Sequence, residues 1–287
     1  MDVRLIQVPS HAGDEQHGTS SGPARLVEAG ARGLLVAHGI DVKIETVARD
    51  APFRDTAASA ARVNKSLAAT IREAVDRGDL PIVLAGSCNA ALGVVAGFEH
   101  ARCGVVWIDA HADFNTPEST TSGFFPGMSM AVLTGHCFSS YWAQIGDNTP
   151  IAEENIAIFG VRELSPDAER HRLEQSPIRD VPWRDGQAQD DVIRVLDELR
   201  QRTTDVYLHV DFDAFAPEVA PGVADDPVHG GLSLADAETI IRGTVERFRI
   251  QAVTLATYTP AADEDEKTLG VALRLVDVLG EYAASGG

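Results

Sequence analysis

GVVWIDAHADF, residues 104–114, changes character halfway along. Val105, Val106, Trp107 and Ile108 form an unbroken apolar run, the pattern of a short strand buried on both faces of a parallel sheet. Asp109, His111 and Asp113 then follow at every second position. In an extended chain that spacing aims all three side chains to one side. A buried strand ending in three convergent ligand-type side chains is the start of a cation cage.

Outward from this stretch, short β-branched apolar runs alternate with segments of helical period. Strands are expected at residues 3–8, 40–47, 80–86, 103–108, 155–161, 206–210 and 252–257. Helices are expected at 22–39, 62–78, 91–100, 190–202, 234–248 and 267–282. This βα alternation predicts an α/β protein with a mainly parallel sheet and helices on both faces. No Pro/Gly/Ser-rich linker divides the chain, so a single domain over residues 1–287 is expected. Two long irregular segments, 115–127 and 213–231, signal function.

The 287 residues carry 43 Asp and Glu against 24 Lys and Arg, a formal net charge of -19. That balance repels nucleic acid and anionic membrane surfaces. Three cysteines without paired spacing suit a reducing compartment, and the first residues show no secretory apolar core. No apolar run approaches the ~20 residues of a membrane span. A cytoplasmic protein acting on a small molecule is expected.

In an open parallel sheet, ligands bind beyond the carboxyl ends of the strands. Cys88 follows one predicted strand, Asp211 and Asp213 another, and Thr257 and Tyr258 a third. Asp211 and Asp213 repeat the alternate spacing, so four carboxylates and one imidazole converge from two strands. Oxygen-rich sites with a histidine suit Mn²⁺ or a similar cation. Shared carboxylates could bridge two ions ~3.5–4 Å apart with a hydroxide between them.

Four stretches, SGPARLVEAG, DAHADFNTPESTTSG, DFDAFAP and DPVHGGLS, resemble conserved segments of the arginase–agmatinase–formiminoglutamase family, the ureohydrolases. The resemblance runs over nearly the whole chain. It implies a three-layer α/β/α sandwich, two Mn²⁺ ions and a trimeric or hexameric assembly. Asp109 and Asp211 would bridge the ions, Asp113 would complete one, and His111 and Asp213 the other. The implied reaction is attack of a metal-bridging hydroxide on a guanidinium or amidine carbon, with C–N cleavage. Asp113 would take the proton and pass it to the leaving amine.

The chain departs from the family at several positions. Cys88 stands where a histidine ligand is expected; its softer sulfur shifts preference toward Zn²⁺ or Fe²⁺. Pro126 stands where many arginases carry a histidine proton shuttle. Thr257 replaces a glutamate that pairs with the substrate guanidinium, and a hydroxyl offers no two-pronged, charge-assisted bonding. Phe124, Ser165 and Ala216 also replace family residues, whereas Asn115 and Ser122 of the substrate-recognition loop are retained. Arginase-like enzymes that hydrolyse Nω-hydroxyarginine share the cysteine and the DFNTPE loop, which makes a hydroxyguanidine a candidate substrate. Thr257 stands against that candidate and favours a neutral or differently shaped substrate, unless Glu118 or Glu163 supplies a carboxylate from a loop.

His209 reads as a core histidine or an orienting partner of a ligand, His11 and His17 as solvated residues of an early loop that could cover the site, and 263–267 as a solvated loop and helix start. Two alternatives stand beside the hydrolase: a non-catalytic binding protein of the same fold, and a Zn²⁺-dependent deacylase using part of this ligand set.

Overall fold

The computed structural model describes residues 1–48, 52–53, 55–100, 102–223 and 228–287. The apolar β-branched runs form strands β1 (Val3–Val8), β2 (Val42–Thr46), β3 (Leu80–Ala85), β4 (Gly104–Ile108), β5 (Ile156–Phe159) and β6 (Arg179–Val181). A small hairpin, β7 (Trp183–Arg184) and β8 (Gln187–Ala188), precedes β9 (Asp205–Asp211) and β10 (Arg249–Ala256). All but the hairpin join one sheet in the order β2-β1-β3-β10-β9-β4-β5-β6, and its pairings are parallel.

The helices are α1 (Gly22–Glu28), α2 (Ala31–Ala37), α3 (Thr56–Arg77), α4 (Ala90–Val95), α5 (Ser129–Leu133), α6 (Ser139–Trp142), α7 (Asp167–Gln175), α8 (Val192–Arg200), α9 (Leu234–Val245) and α10 (Lys267–Ala284). Leu26, Leu35, Val195, Ile240 and Leu275 of α1, α2, α8, α9 and α10 pack on the sheet face carrying Leu5, Val106 and Leu208. Leu67, Leu92, Val132, Trp142 and Leu173 of α3 to α7 pack on the other, against Ile6, Val105 and Tyr207. Successive strand residues thus feed opposite cores, which is why the central strands are apolar without interruption. The fold is the three-layer α/β/α sandwich.

The departures from expectation are local. The helix expected at 22–39 is broken into α1 and α2 at Gly30, whose φ of 107° is left-handed. Helix α3 begins at Thr56, where Asp55 accepts the Ala58 N–H at 2.8 Å; its Ala-rich first turn carries no apolar stripe to betray it. Helix α7 is almost wholly polar and escaped for the same reason. Asp263 is buried rather than solvated, because its carboxylate accepts the Thr268 and Leu269 N–H groups at the start of α10. Among the described residues no helix is long and apolar enough to cross a membrane.

The strand order builds the site. From β3 the chain crosses by α4 to β4, leaving a gap that β9 and β10 fill later, so β3, β10, β9 and β4 lie side by side. Their carboxyl ends carry Cys88, Thr257, Asp211 and Asp109. This gap is where an open α/β sheet places its ligand.

Candidate metal centre

The parallel register sets Trp107 of β4 beside His209 of β9, which brings the acidic ends of these two strands together, and Ala256 of β10 beside Asp211. Gly160, at the end of β5, passes so close that a Cβ there would sit 2.8 Å from the Asp109 carbonyl oxygen; its φ of 107° also suits only glycine. Asp109 accepts the Trp107 Nε1–H at 2.9 Å and the His111 N–H at 2.7 Å. Asp211 accepts the Asp213 N–H at 2.8 Å, the Cys88 thiol at 2.7 Å and the Thr257 hydroxyl. Asp213 accepts the Ala110 N–H at 3.1 Å and lies 3.0 Å from His111 Nδ1.

Donor atoms gather in two groups that share Asp109. In one, ligand atoms of Asp109, His111 and Asp213 all lie within 4.8 Å of one another; in the other, those of Cys88, Asp109, His209 and Asp211 do. Asp113 belongs to neither, although it lines the same pocket. Its Oδ2 is buried without a hydrogen-bond partner among the described residues, and its φ of 50° is a left-handed conformation that Asp tolerates.

The pocket encloses about 240 Å³, and its described lining includes six carboxylates but no Lys or Arg. Protons take the place of cations there. Burial, then the Asp213 charge, pushes Asp109 up to about 7. Burial likewise pushes Asp211 and Asp113 well above the carboxylate range, with neighbouring carboxylates adding to it. Burial would raise Asp213 too, but the His111 imidazolium beside it holds it down at about 2. His111 stays well above its usual value because Asp213 and Asp109 outweigh its burial. Burial and the Asp211 charge keep Cys88 a thiol. Divalent cations fit this donor set: they would replace the protons among the crowded carboxylates.

Other predicted residues fall around the rim. Asn115 and Ser122 line the pocket; Asn115 donates to the Ser165 carbonyl at 3.0 Å, and Ser122 accepts the Phe124 N–H at 3.2 Å. Thr257 also lines it, at a φ of 71° that is costly for a β-branched residue, with its hydroxyl committed to Asp211. Pro126 and Phe124 form an apolar part of the wall, and Glu163 reaches the pocket whereas Glu118 does not. His11 is not a solvated loop residue: it lines the pocket, stacked on His17 at 3.9 Å between ring centroids. Burial, then His17, pushes it down to about 4.

Sequence reasoning missed two supports. Arg162 donates to the carbonyls of Gly160, Asp213, Ala214, Phe215 and Val228, clasping the loop that presents Asp213. Glu169 accepts the Phe114 and Ser165 N–H groups, tying α7 to the loop after β4. A lone Arg after a strand and an acid on a polar helix carry no spacing signal. His209 is fully buried and neutral, its affinity for a proton pushed down to about 3 by burial; its Nε2 has no hydrogen-bond partner among the described residues.

The fold and the pocket define a class: an α/β/α protein with a candidate binuclear metal site. Arginase from Bacillus caldovelox is 31% identical to this chain over 295 residues, covering 96% of this chain and 97% of its own. The native crystal structure of that arginase superposes with a TM-score of 0.87 at 30% identity, covering 98% and 97% of the two chains. The crystal structure of arginase from Bacillus subtilis also gives 0.87, at 27% identity over 97% and 98%. The Arginase family profile matches residues 1–280, and the chain belongs to the arginase family. It is a ureohydrolase-type metallohydrolase of non-peptide C–N bonds.

Proposed function

We propose that the chain hydrolyses the C–N bond of a guanidino, hydroxyguanidino or amidino compound derived from an amino acid, with a hydroxyguanidine preferred. The observation that carries the metal-dependent reaction is the pocket itself: six carboxylates with no Lys or Arg among its described lining. Divalent ions there supply Lewis-acid polarisation and a water acidified to neutral pH. Mn²⁺ suits the oxygen-rich groups, and the Cys88 sulfur adds affinity for Zn²⁺ or Fe²⁺. Asp109, His111 and Asp213 would hold one ion; Asp211, Asp109 and Cys88 the other. Asp113, which lines the pocket, would take the proton and return it to the leaving nitrogen.

The preference for hydroxyguanidine rests on two residues of the pocket wall. The Thr257 hydroxyl is committed to Asp211, so this wall offers no carboxylate to a cationic guanidinium. Pro126 adds no acid to this wall. The alkyl amine leaves while the hydroxylated nitrogen stays on the carbon as hydroxyurea. The N-hydroxyl group lowers the basicity of the guanidine, so a wall without a carboxylate costs a hydroxyguanidine less than a guanidinium. Asn115 and Ser122 on the rim would hold the amino-acid end. Cytoplasmic residence and a trimeric or hexameric assembly belong to the same proposal and are checked by fractionation and light scattering. The deciding experiment is a Mn²⁺-loaded screen of arginine, Nω-hydroxyarginine, agmatine, guanidinobutyrate and formiminoglutamate. Hydroxyurea from hydroxyarginine is expected at a kcat/KM at least about tenfold above urea from arginine, a difference of about 1.4 kcal/mol in transition-state binding. An equal or faster arginine reaction contradicts the preference.

Metal binding carries a pH dependence of known sign. In the metal-free protein the raised Asp109 and His111 favour their protonated forms, so their contribution to stability is full below the ordinary values and is lost as pH rises, through about 7 for Asp109. Cations must displace those protons. The rise in Tm on adding Mn²⁺ is therefore expected to grow from pH 5.5 to pH 8, with proton release largest at the acid end. A Tm shift that is flat or shrinks with pH contradicts it.

A further inference from the structure

We propose that His209 is a metal ligand: the imidazole absent at Cys88 reaches the same ion from the neighbouring strand, so that Cys88, Asp109, His209 and Asp211 form one ion's donor set. The inference rests on the metallohydrolase function proposed above and adds to it a ligand from the body of β9.

Three observations carry it. First, Tyr207, His209 and Asp211 alternate along β9 and share one face, and the strand register puts His209 directly against Trp107 of β4. The two rings stack with centroids 3.6 Å apart and planes 10° from parallel, which fixes the imidazole plane. Trp107 holds Asp109 through its Nε1–H at 2.9 Å, so one indole orients both side chains.

Second, the hydrogen bonds select the tautomer that binds metals. Tyr207 donates its hydroxyl hydrogen to Thr254 Oγ1 at 2.7 Å. Its oxygen therefore accepts from His209 Nδ1 at 2.8 Å, which leaves the lone pair on Nε2. A phenol holding the far nitrogen of a ligating imidazole is the outer support that metal-bound histidines characteristically have.

Third, that lone pair is buried and, among the described residues, without a hydrogen-bond partner, and a nitrogen of this ring lies among the other donors. His209 is 0% exposed, and its ligand atom lies within 4.8 Å of Cys88 Sγ and of Asp109 and Asp211 oxygens. A polar atom left unsatisfied in the core is destabilising. An ion centred among these four donors removes that cost and completes a mixed N, S, O set.

The test uses full-length protein stripped by chelator and titrated with Mn²⁺ and Zn²⁺. His209→Ser is expected to weaken one of the two binding events by at least about 10–100-fold, the loss seen when even outer partners of a ligand are removed. The event at Asp109, His111 and Asp213 stays. Adding Cys88→His to that variant restores an imidazole from the other strand and is expected to recover the lost event. A packing role would instead lower metal-free Tm, spare both affinities and gain nothing from Cys88→His.

Wild-type protein labelled with ¹⁵N-histidine gives a readout that needs no variant. Zn²⁺ is expected to shift ring-nitrogen resonances of two histidines, His111 and His209. Zn²⁺ binding with only His111 shifted, or His209→Ser that keeps both affinities, overturns this ligand and leaves the metallohydrolase function standing. A wild-type chain that binds no ion overturns both.

Discussion

Replacing Asp109 with Asn is expected to cost the protein both metal ions and more than about 10³-fold in kcat/KM, the scale on which a shared member of a catalytic unit fails. Asp109 is the residue common to the two donor groups, so its charge serves both ions. The exchange also offends the local bonding. Both carboxylate oxygens accept hydrogens, from Trp107 Nε1 and the His111 N–H, and an amide nitrogen in either place would face a donor. That mismatch adds about 1–3 kcal/mol of destabilisation. Metal content after gel filtration, with Tm beside it, checks the result. A folded Asn variant retaining both ions and activity within about tenfold would show that Asp109 bridges nothing.

Asp113→Asn should behave differently. Asp113 lies outside both tight donor groups, so the ions are expected to remain while kcat falls about 10²–10⁴-fold, the worth of a positioned proton acceptor. Asn accepts a φ near 50° as readily as Asp, so the backbone is undisturbed. KM should change little, because the lost interaction forms as the proton moves. Metal analysis alongside steady-state kinetics separates the cases. Loss of an ion with Asp113→Asn would make it a ligand first, and unchanged kcat would remove it from the proton path.

Much of this site is legible in one dimension, because alternation is a property of an extended chain. Asp109, His111 and Asp113 announce themselves by spacing and by the apolar run before them, and Asp211 and Asp213 repeat the signal. That the two sets meet is not written in either stretch. It depends on β9 and β10 entering the gap beside β3, a matter of strand order that pairs residues about a hundred positions apart. His209 shows the difference. Its identity and its parity with Asp211 were visible, but its free Nε2 depends on Tyr207 and Thr254, which only the register brings together.

Helices were legible where an apolar stripe faced the sheet, as in α8 and α9, and obscure where Ala or charged residues dilute it, as in the first turn of α3 and all of α7. Arg162 and Glu169 were hidden for another reason. Their work is to satisfy backbone groups of loops, and no periodicity records which carbonyl or N–H a side chain will reach. His11 reached the pocket through an early loop that no pattern could direct.

Anomalous diffraction at the manganese edge, from crystals of the Mn²⁺-loaded protein near pH 7.5, bears most directly on whether cations hold these carboxylates together. Two peaks are expected, about 3.5–4 Å apart, flanking Asp109 and Asp211 in the pocket. A pocket with ordered, protonated carboxylates and no anomalous density, under conditions where the protein is active, would contradict the account.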